Sequence, residues 1–178
     1  MQRAVFFDRD GVVNKRLTDD YVKSWGEFEF LPDIYMTLSQ VKEWGYLAII
    51  VSNQRGIARG LMTEKDLQAI HTKMQKELKA KINVEFDDIY HCPHDNDTDC
   101  DCRKPKPGMI LQAAEKWDID LSESWLIGDS ESDVLAGNAA GCRTILIGDQ
   151  ETTEAEFQAE ALADTKEIIS RFQAPWQL

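Results

Sequence analysis

Five short, nearly continuous apolar runs recur along the chain. They are Ala4-Val5-Phe6-Phe7, Leu47-Ala48-Ile49-Ile50-Val51, the weaker Asp88-Ile89-Tyr90-His91, Trp125-Leu126-Ile127 and Thr144-Ile145-Leu146-Ile147. Runs of this length without polar alternation are what strands covered on both faces look like. Four of them end in polar residues or glycine: Asp8-Arg9-Asp10-Gly11, Ser52-Asn53, Gly128-Asp129 and Gly148-Asp149. Between the runs the apolar residues change to helical spacing. Pro32 opens a segment with Ile34, Leu38 and Val41 on one face, and Gly45 closes it. Thr63 can cap a second helix with Asp66 three residues on, and Leu67, Ile70, Met74 and Leu78 form its buried stripe. Pro107 starts a third with Ile110, Leu111 and Ala114 inward, and Ser130 caps a fourth that runs to Gly141. The acidic stretch from Thr153 to Phe172 is expected to be helical in part, with Ile168, Ile169 and Phe172 packing back.

Strand and helix alternate throughout, which predicts a single α/β domain over residues 1–178 with a parallel sheet. Residues 12–31 and 92–108 do not fit the alternation, and they are the expected substrate-specific loops. The 178 residues, 43% of them hydrophobic, suit one domain with a proper core. No apolar run reaches the roughly 18 residues a membrane helix needs, and the N-terminal run is too short for a signal peptide, which predicts a cytoplasmic protein without membrane association. The net charge of −12 disfavours nucleic acid and anionic membranes as partners. It does not exclude a small anionic substrate, because a bound metal and a few basic side chains can reverse the field inside a pocket.

In a parallel sheet ligands sit at the carboxyl ends of strands, so the run-ending residues are the candidate chemistry. Asp8 and Asp10 stand at i and i+2 of an extended segment and so point to one face. Two carboxylates so close repel unless a cation lies between them or one keeps its proton. Mg²⁺ with oxygen ligands resolves that conflict where phosphate is handled, and a carboxylate can itself attack phosphorus. The competing reading is a solvated Asp-Arg-Asp-Gly turn. Ser52 and Asn53 offer a hydroxyl and backbone N–H groups to phosphate oxygens, or form an ordinary strand-ending turn. Lys104, in the proline-stiffened Arg103-Lys104-Pro105-Lys106-Pro107-Gly108, can neutralise a transferring phosphoryl group, or be a solvated lysine at a helix entry. Asp129 can complete a Mg²⁺ site, whereas Asp133 reads as a residue favouring a helix N-terminus.

Cys92, His94, Cys100 and Cys102 place three thiolates and an imidazole within eleven residues. That set makes a closed tetrahedral Zn²⁺ site, whose role is structural because no ligand position is left open. The alternative is a loop of reduced free thiols. A Ca²⁺ reading of Asp95–Asp99 fails for want of the glycine and glutamate such loops carry. Cys142 is expected to be a small buried residue.

Asp8-x-Asp10-Gly11, then Ser52, then Lys104, then Gly128-Asp129-x-x-x-Asp133 resembles the four ordered motifs of the haloacid dehalogenase superfamily, over roughly residues 4–148. The resemblance implies a Rossmann-like three-layer sandwich without a large cap domain, and a monomer. It also implies a two-step phosphatase. Asp8 would attack phosphorus, Asp10 would act as acid and then base, Ser52 and Lys104 would hold the phosphoryl oxygens, and Asp8, Asp129 and the Asp10 backbone carbonyl would hold Mg²⁺. The Cys/His loop followed by Arg103-Lys104-Pro105 resembles two sister groups, the heptose 1,7-bisphosphate phosphatases of lipopolysaccharide heptose biosynthesis and the histidinol-phosphate phosphatases. Ser52–Gly60, Lys104–Met109 and Asp20-Tyr21-Val22 resemble the heptose group, whereas the five residues between His94 and Cys100 are closer to the histidinol group. The heptose resemblance implies removal of the C7 phosphate of D-glycero-D-manno-heptose 1,7-bisphosphate. It also implies that Arg103 recognises the sugar or its second phosphate, that Asn53, Gln54, Arg55 and Ser130 line the pocket, and that Tyr21 contributes from the first loop. A remaining reading of another class is an inactive zinc-loop binding module, against which the intact Asp8, Asp10, Ser52, Lys104 and Asp129 speak.

Overall fold

A computed structural model describes residues 1–150 and 154–173. Each of the five apolar runs is a strand: β1 (Ala4–Phe7), β2 (Leu47–Asn53), β3 (Asp88–Cys92), β4 (Trp125–Gly128) and β5 (Arg143–Ile147). Among the described residues the sheet has six strands in the order β3-β2-β1-β4-β5-β6, all parallel. The sixth strand, β6 (Phe157–Ala159), lies in the acidic stretch read as partly helical. It pairs with Ile145–Ile147 of β5. The helix of that stretch, α5 (Thr165–Ser170), is only six residues long, and the stretch's first residue, Thr153, lies outside the described residues. Ile168 and Ile169 pack inward as expected, and Phe172 sets its ring against Trp125 and Phe157.

The helices form where the capping and spacing signals placed them. They are α1 (Ile34–Glu43), α2 (Glu64–Ile82), α3 (Gly108–Trp117) and α4 (Glu131–Ala140). Thr63 and Asp66 close a capping box at α2. On α3 the buried residues are Met109, Ile110 and Ala113, while Leu111 faces out. The buried stripe therefore runs one residue earlier than the expected Ile110, Leu111 and Ala114. The helix begins at Gly108, which seats Met109 at once against the sheet.

Because successive strand residues point to opposite faces, each strand feeds two cores. Val5 and Phe7 join Ala48, Ile50 and the buried stripes of α1 and α2 on one side. Ala4 and Phe6 join Leu47, Ile49, Leu126 and the inner residues of α3 on the other. The result is a helix–sheet–helix sandwich of three layers. Burying each of the valine, leucine, isoleucine and phenylalanine side chains stabilises the fold by about 1.5–3 kcal/mol. β1 is central, and the strand order reverses beside it, between β2 and β4. The crevice that opens at such a reversal is the ligand position of doubly wound sheets. Residues 12–31 form the first irregular loop. It is pinned by bridges from Asn14 to Asp10 and Phe30 and by stacking of Trp25 on Phe28.

Candidate active site

Asp8 follows β1 directly, and its backbone N–H donates to the Ile127 carbonyl of β4 at 3.0 Å. The ladder therefore fixes the residue, which is only 5% exposed. Lys104 Nζ donates to Asp8 Oδ1 at 2.7 Å and to the Val51 carbonyl at 2.7 Å, and it pairs with Asp133 Oδ1 at 2.5 Å. All three ammonium donors are thus engaged. The lysine is brought there by Asn53, whose side-chain amide accepts from Lys104 N–H and donates to the Lys104 carbonyl, both at 3.1 Å. Asn53 thus ties the end of β2 to the basic loop.

Asp10 sits in a separate polar cage. Arg9 forks both its oxygens at 2.9 Å, Asn14 Nδ2 donates to Oδ1 at 2.9 Å, and Gln54 Nε2 donates to Oδ2 at 2.9 Å. Gln54 also donates to Ser52 Oγ at 2.7 Å, so one buried amide orients both the second carboxylate and the hydroxyl. Arg9 is fully buried, and its far end meets His71 Nε2 at 3.4 Å.

Gly11 turns the chain with φ of +106°, a conformation that favours glycine. A Cβ there would lie 1.9 Å from Asp129 Oδ2. The missing side chain is the space that Asp129 fills. Oxygen atoms of Asp8, Asp129 and Asp133 all lie within 4.8 Å of one another. Asp133 also accepts from the Ser130 N–H at 3.1 Å and the Ser130 hydroxyl at 2.6 Å. The helix-capping role expected for Asp133 is present, and the ion pair to Lys104 is added to it. A cavity of about 300 Å³ opens over the cluster, lined among others by Asp8, Asp10, Ser52, Arg103 and Ser130.

The relatives bear on this arrangement. A family model described as HAD-hydrolase-like matches residues 101–173. A D-glycero-beta-D-manno-heptose-1,7-bisphosphate 7-phosphatase of Pasteurella multocida is 39% identical over 95% of this chain and 97% of its own. A D-glycero-alpha-D-manno-heptose-1,7-bisphosphate 7-phosphatase of Campylobacter jejuni is 39% identical over 96% and 95%. The crystal structure of D,D-heptose 1,7-bisphosphate phosphatase from B. bronchiseptica, complexed with magnesium and phosphate, superposes with a TM-score of 0.86 at 33% identity, covering 96% of this chain and 99% of that one. The chain belongs to the heptose-1,7-bisphosphate 7-phosphatase family of haloacid dehalogenase-like hydrolases. Family membership separates the two sister groups that the motifs left open, in favour of the heptose group.

Not every residue expected at the pocket reaches it. Arg55 turns away and pairs with Asp95 at 2.5 Å. Tyr21 packs beside Gly56, where a Cβ would meet its ring at 3.2 Å. Neither lines the cavity, whereas Asn53, Arg103 and Ser130 do. Gln54 lies beneath it, buried. Three residues not singled out in the sequence stand close to the chemistry, Arg9, Asn14 and Arg16, and none carried a motif signal. Asp133, read there as a helix-capping residue and the last member of its motif, joins the carboxylate cluster as well.

Cys92, His94, Cys100 and Cys102 converge, with Cys92 Sγ 3.0 Å from Cys102 Sγ and 3.8 Å from Cys100 Sγ. His94 Nδ1 lies 3.4 Å from Cys92 Sγ and 3.2 Å from Cys102 Sγ. Burial and the neighbouring thiols push Cys102 up to about 12, and burial raises Cys92. Thiols so placed ionise readily only around a cation, so a soft-ligand ion such as Zn²⁺ fits the set. Arg103 Nη1 donates to the His94 carbonyl at 3.3 Å, which couples this loop to the cavity.

The carboxylate cluster is likewise suited to a hard cation. Burial, with Asp133 and Asp129 close by, pushes Asp8 up to about 7 despite Lys104. Burial pushes Asp129 up to about 6, against the pull of Arg16. Burial acts on Asp10 in the same direction, but Arg9 and the hydrogen bonds from Asn14 and Gln54 outweigh it and hold Asp10 below the usual range. Acids whose folded pKa lies above the unfolded 3.8 take up protons on folding, so stability falls as pH rises between those values. Asp10 acts oppositely, its contribution being lost only as pH falls below the carboxylate range. Zinc-loaded protein without added magnesium should therefore show a lower urea midpoint at pH 7.5 than at pH 5.5. Millimolar Mg²⁺ should raise the midpoint mainly at the higher pH. A midpoint insensitive to magnesium at both would contradict this reading of the cluster.

Proposed function

We propose that this chain is a magnesium-dependent phosphatase that removes the 7-phosphate of D-glycero-D-manno-heptose 1,7-bisphosphate through an aspartyl-phosphate on Asp8. One observation carries the reading. Asp8 is fixed at the tip of the central strand, with Lys104 on one oxygen, and it clusters with Asp129 and Asp133 beside a cavity lined by Ser52 and Arg103.

Asp8, Asp129 and the Asp10 backbone carbonyl would hold Mg²⁺, which supplies charge neutralisation at the phosphoryl oxygens when bound. Asp8 Oδ2 attacks phosphorus while the bond to the sugar C7 oxygen breaks. Lys104, held by Asp133, and the Ser52 hydroxyl take up negative charge on the transferring group. Asp10 gives its proton to the departing alcohol. In the second step Asp10, again a carboxylate, takes a proton from water as the water oxygen attacks phosphorus and the bond to Asp8 breaks. The cage around Asp10 favours the carboxylate that this second step needs. The approach of an anionic phosphate raises its pKa and supplies the acid for the first. Arg103 faces the sugar end, and the loops at residues 12–31 and 92–108 screen the site in place of a cap.

Phosphate release in Mg²⁺ should be far faster from an anomer of heptose 1,7-bisphosphate than from histidinol phosphate, and Asp8→Asn should lower kcat by about 10³-fold or more with circular dichroism unchanged. Equal turnover by Asp8→Asn would refute the nucleophile.

Zn²⁺ is proposed for the Cys/His loop in a structural role, setting Arg103 through the His94 carbonyl. Cys102→Ser should lose bound zinc, measured by elemental analysis. It should also raise KM for the bisphosphate by about tenfold. Zinc-free protein with unaltered KM would show that the loop does not position Arg103.

A further inference from the structure

Arg16 occupies an unusual place among the basic residues around the cavity. Arg9 is fully buried and spent on Asp10. Lys104 has all its donors engaged. Arg103 has one nitrogen committed to the His94 carbonyl. Arg16 is half exposed at the rim and lines the cavity. Its Nη2 donates to Asp129 Oδ1 at 2.9 Å and lies 3.9 Å from Asp8 Oδ2. These are two of the three carboxylates that form the candidate divalent-cation cluster. A guanidinium and a metal ion are like charges in search of the same oxygens, so each weakens the other's hold.

The backbone around Arg16 limits where its side chain can go. Asn14 is bracketed by Asp10 and Phe30, and Lys15 N–H donates to the Glu29 carbonyl at 2.8 Å. The side chain therefore swings from a fixed base beside the cavity. A planar guanidinium released from two carboxylates is well matched to a phosphate, which it can bind through two parallel hydrogen bonds. Under the substrate reading above, on which this rests, a second phosphate lies at the far end of the sugar from the scissile one.

We propose that Arg16 is a specificity-determining residue that grips the phosphate remote from Asp8, and that divalent cation binding at Asp8 and Asp129 frees it to do so. Arg103 then meets the sugar end from the opposite loop. One residue would thus link metal loading to recognition of a bisphosphate.

Two measurements on Arg16→Gln in zinc-loaded, full-length protein test the idea. Calorimetric titration with Mn²⁺ in the absence of phosphate should show binding about fivefold or more tighter in Arg16→Gln than in the wild type, because a competing cation is gone. Equal or weaker binding would overturn the competition. With saturating Mg²⁺, the ratio of kcat/KM for heptose 1,7-bisphosphate to that for p-nitrophenyl phosphate should fall about tenfold or more, through KM of the bisphosphate. An unchanged ratio would overturn the remote-phosphate role. Wild-type protein that hydrolyses p-nitrophenyl phosphate but not the bisphosphate would refute the proposed substrate and this role with it. The Mn²⁺ titration would still decide the competition.

Discussion

Three carboxylates share one buried lysine, and the rest of the site depends on that arrangement. Lys104 binds Asp8 and Asp133 directly, while Asp129 lies within the same 4.8 Å cluster, paired with the half-exposed Arg16 and feeling Lys104 at longer range. Burial makes the negative charges costly, and one buried ammonium with one half-exposed guanidinium does not balance three carboxylates. A protein that kept such a cluster for stability alone would be better served by apolar side chains of similar size. The imbalance gains a use when a divalent cation and a phosphoryl group are brought in, since each supplies what the other lacks.

The fold builds the cluster from distant parts of the chain with little freedom in any of them. β1 delivers Asp8, the end of β4 delivers Asp129, and the first turn of α4 delivers Asp133. Lys104 arrives on a loop fastened twice, by Asn53 and by the Cys/His cluster two residues before it. Gly11 removes the one side chain that would collide with Asp129. Asp10 is kept apart from the cluster by its own arginine. Two adjacent carboxylates thereby acquire opposite tendencies, Asp8 toward protonation without a cation and Asp10 toward ionisation. Dissimilar environments for neighbouring acids are how a nucleophile and a proton carrier are told apart.

Much of this was legible in the sequence because it rests on local rules. Unbroken apolar runs mark the buried parallel strands, and the Thr63 and Ser130 boxes mark two helix starts. What escaped rests on tertiary contact. β6 is three residues of mixed polarity that become a strand only by pairing with β5. Arg9 between two aspartates looks solvated in sequence, yet it is fully buried. Gln54 and Arg55 are neighbours that diverge, one to Asp10 beneath the cavity and the other to Asp95 on the Cys/His loop. Arg16 sits in an irregular loop whose path no periodicity reveals. The ion pair of Asp133 was hidden behind its capping role and motif position because the lysine it meets lies 29 residues away in the chain.

In the proposed mechanism Asp8 carries the phosphoryl group between the two steps. The most direct test uses Asp10→Asn with p-nitrophenyl phosphate, whose leaving group needs no acid, so that the second step is slowed and the first is not. Acid quench, borohydride reduction and peptide mass spectrometry then read the modified residue. The account predicts homoserine at position 8, the reduction product of an aspartyl-phosphate. An unmodified Asp8 with turnover intact, or label on another residue, would contradict it.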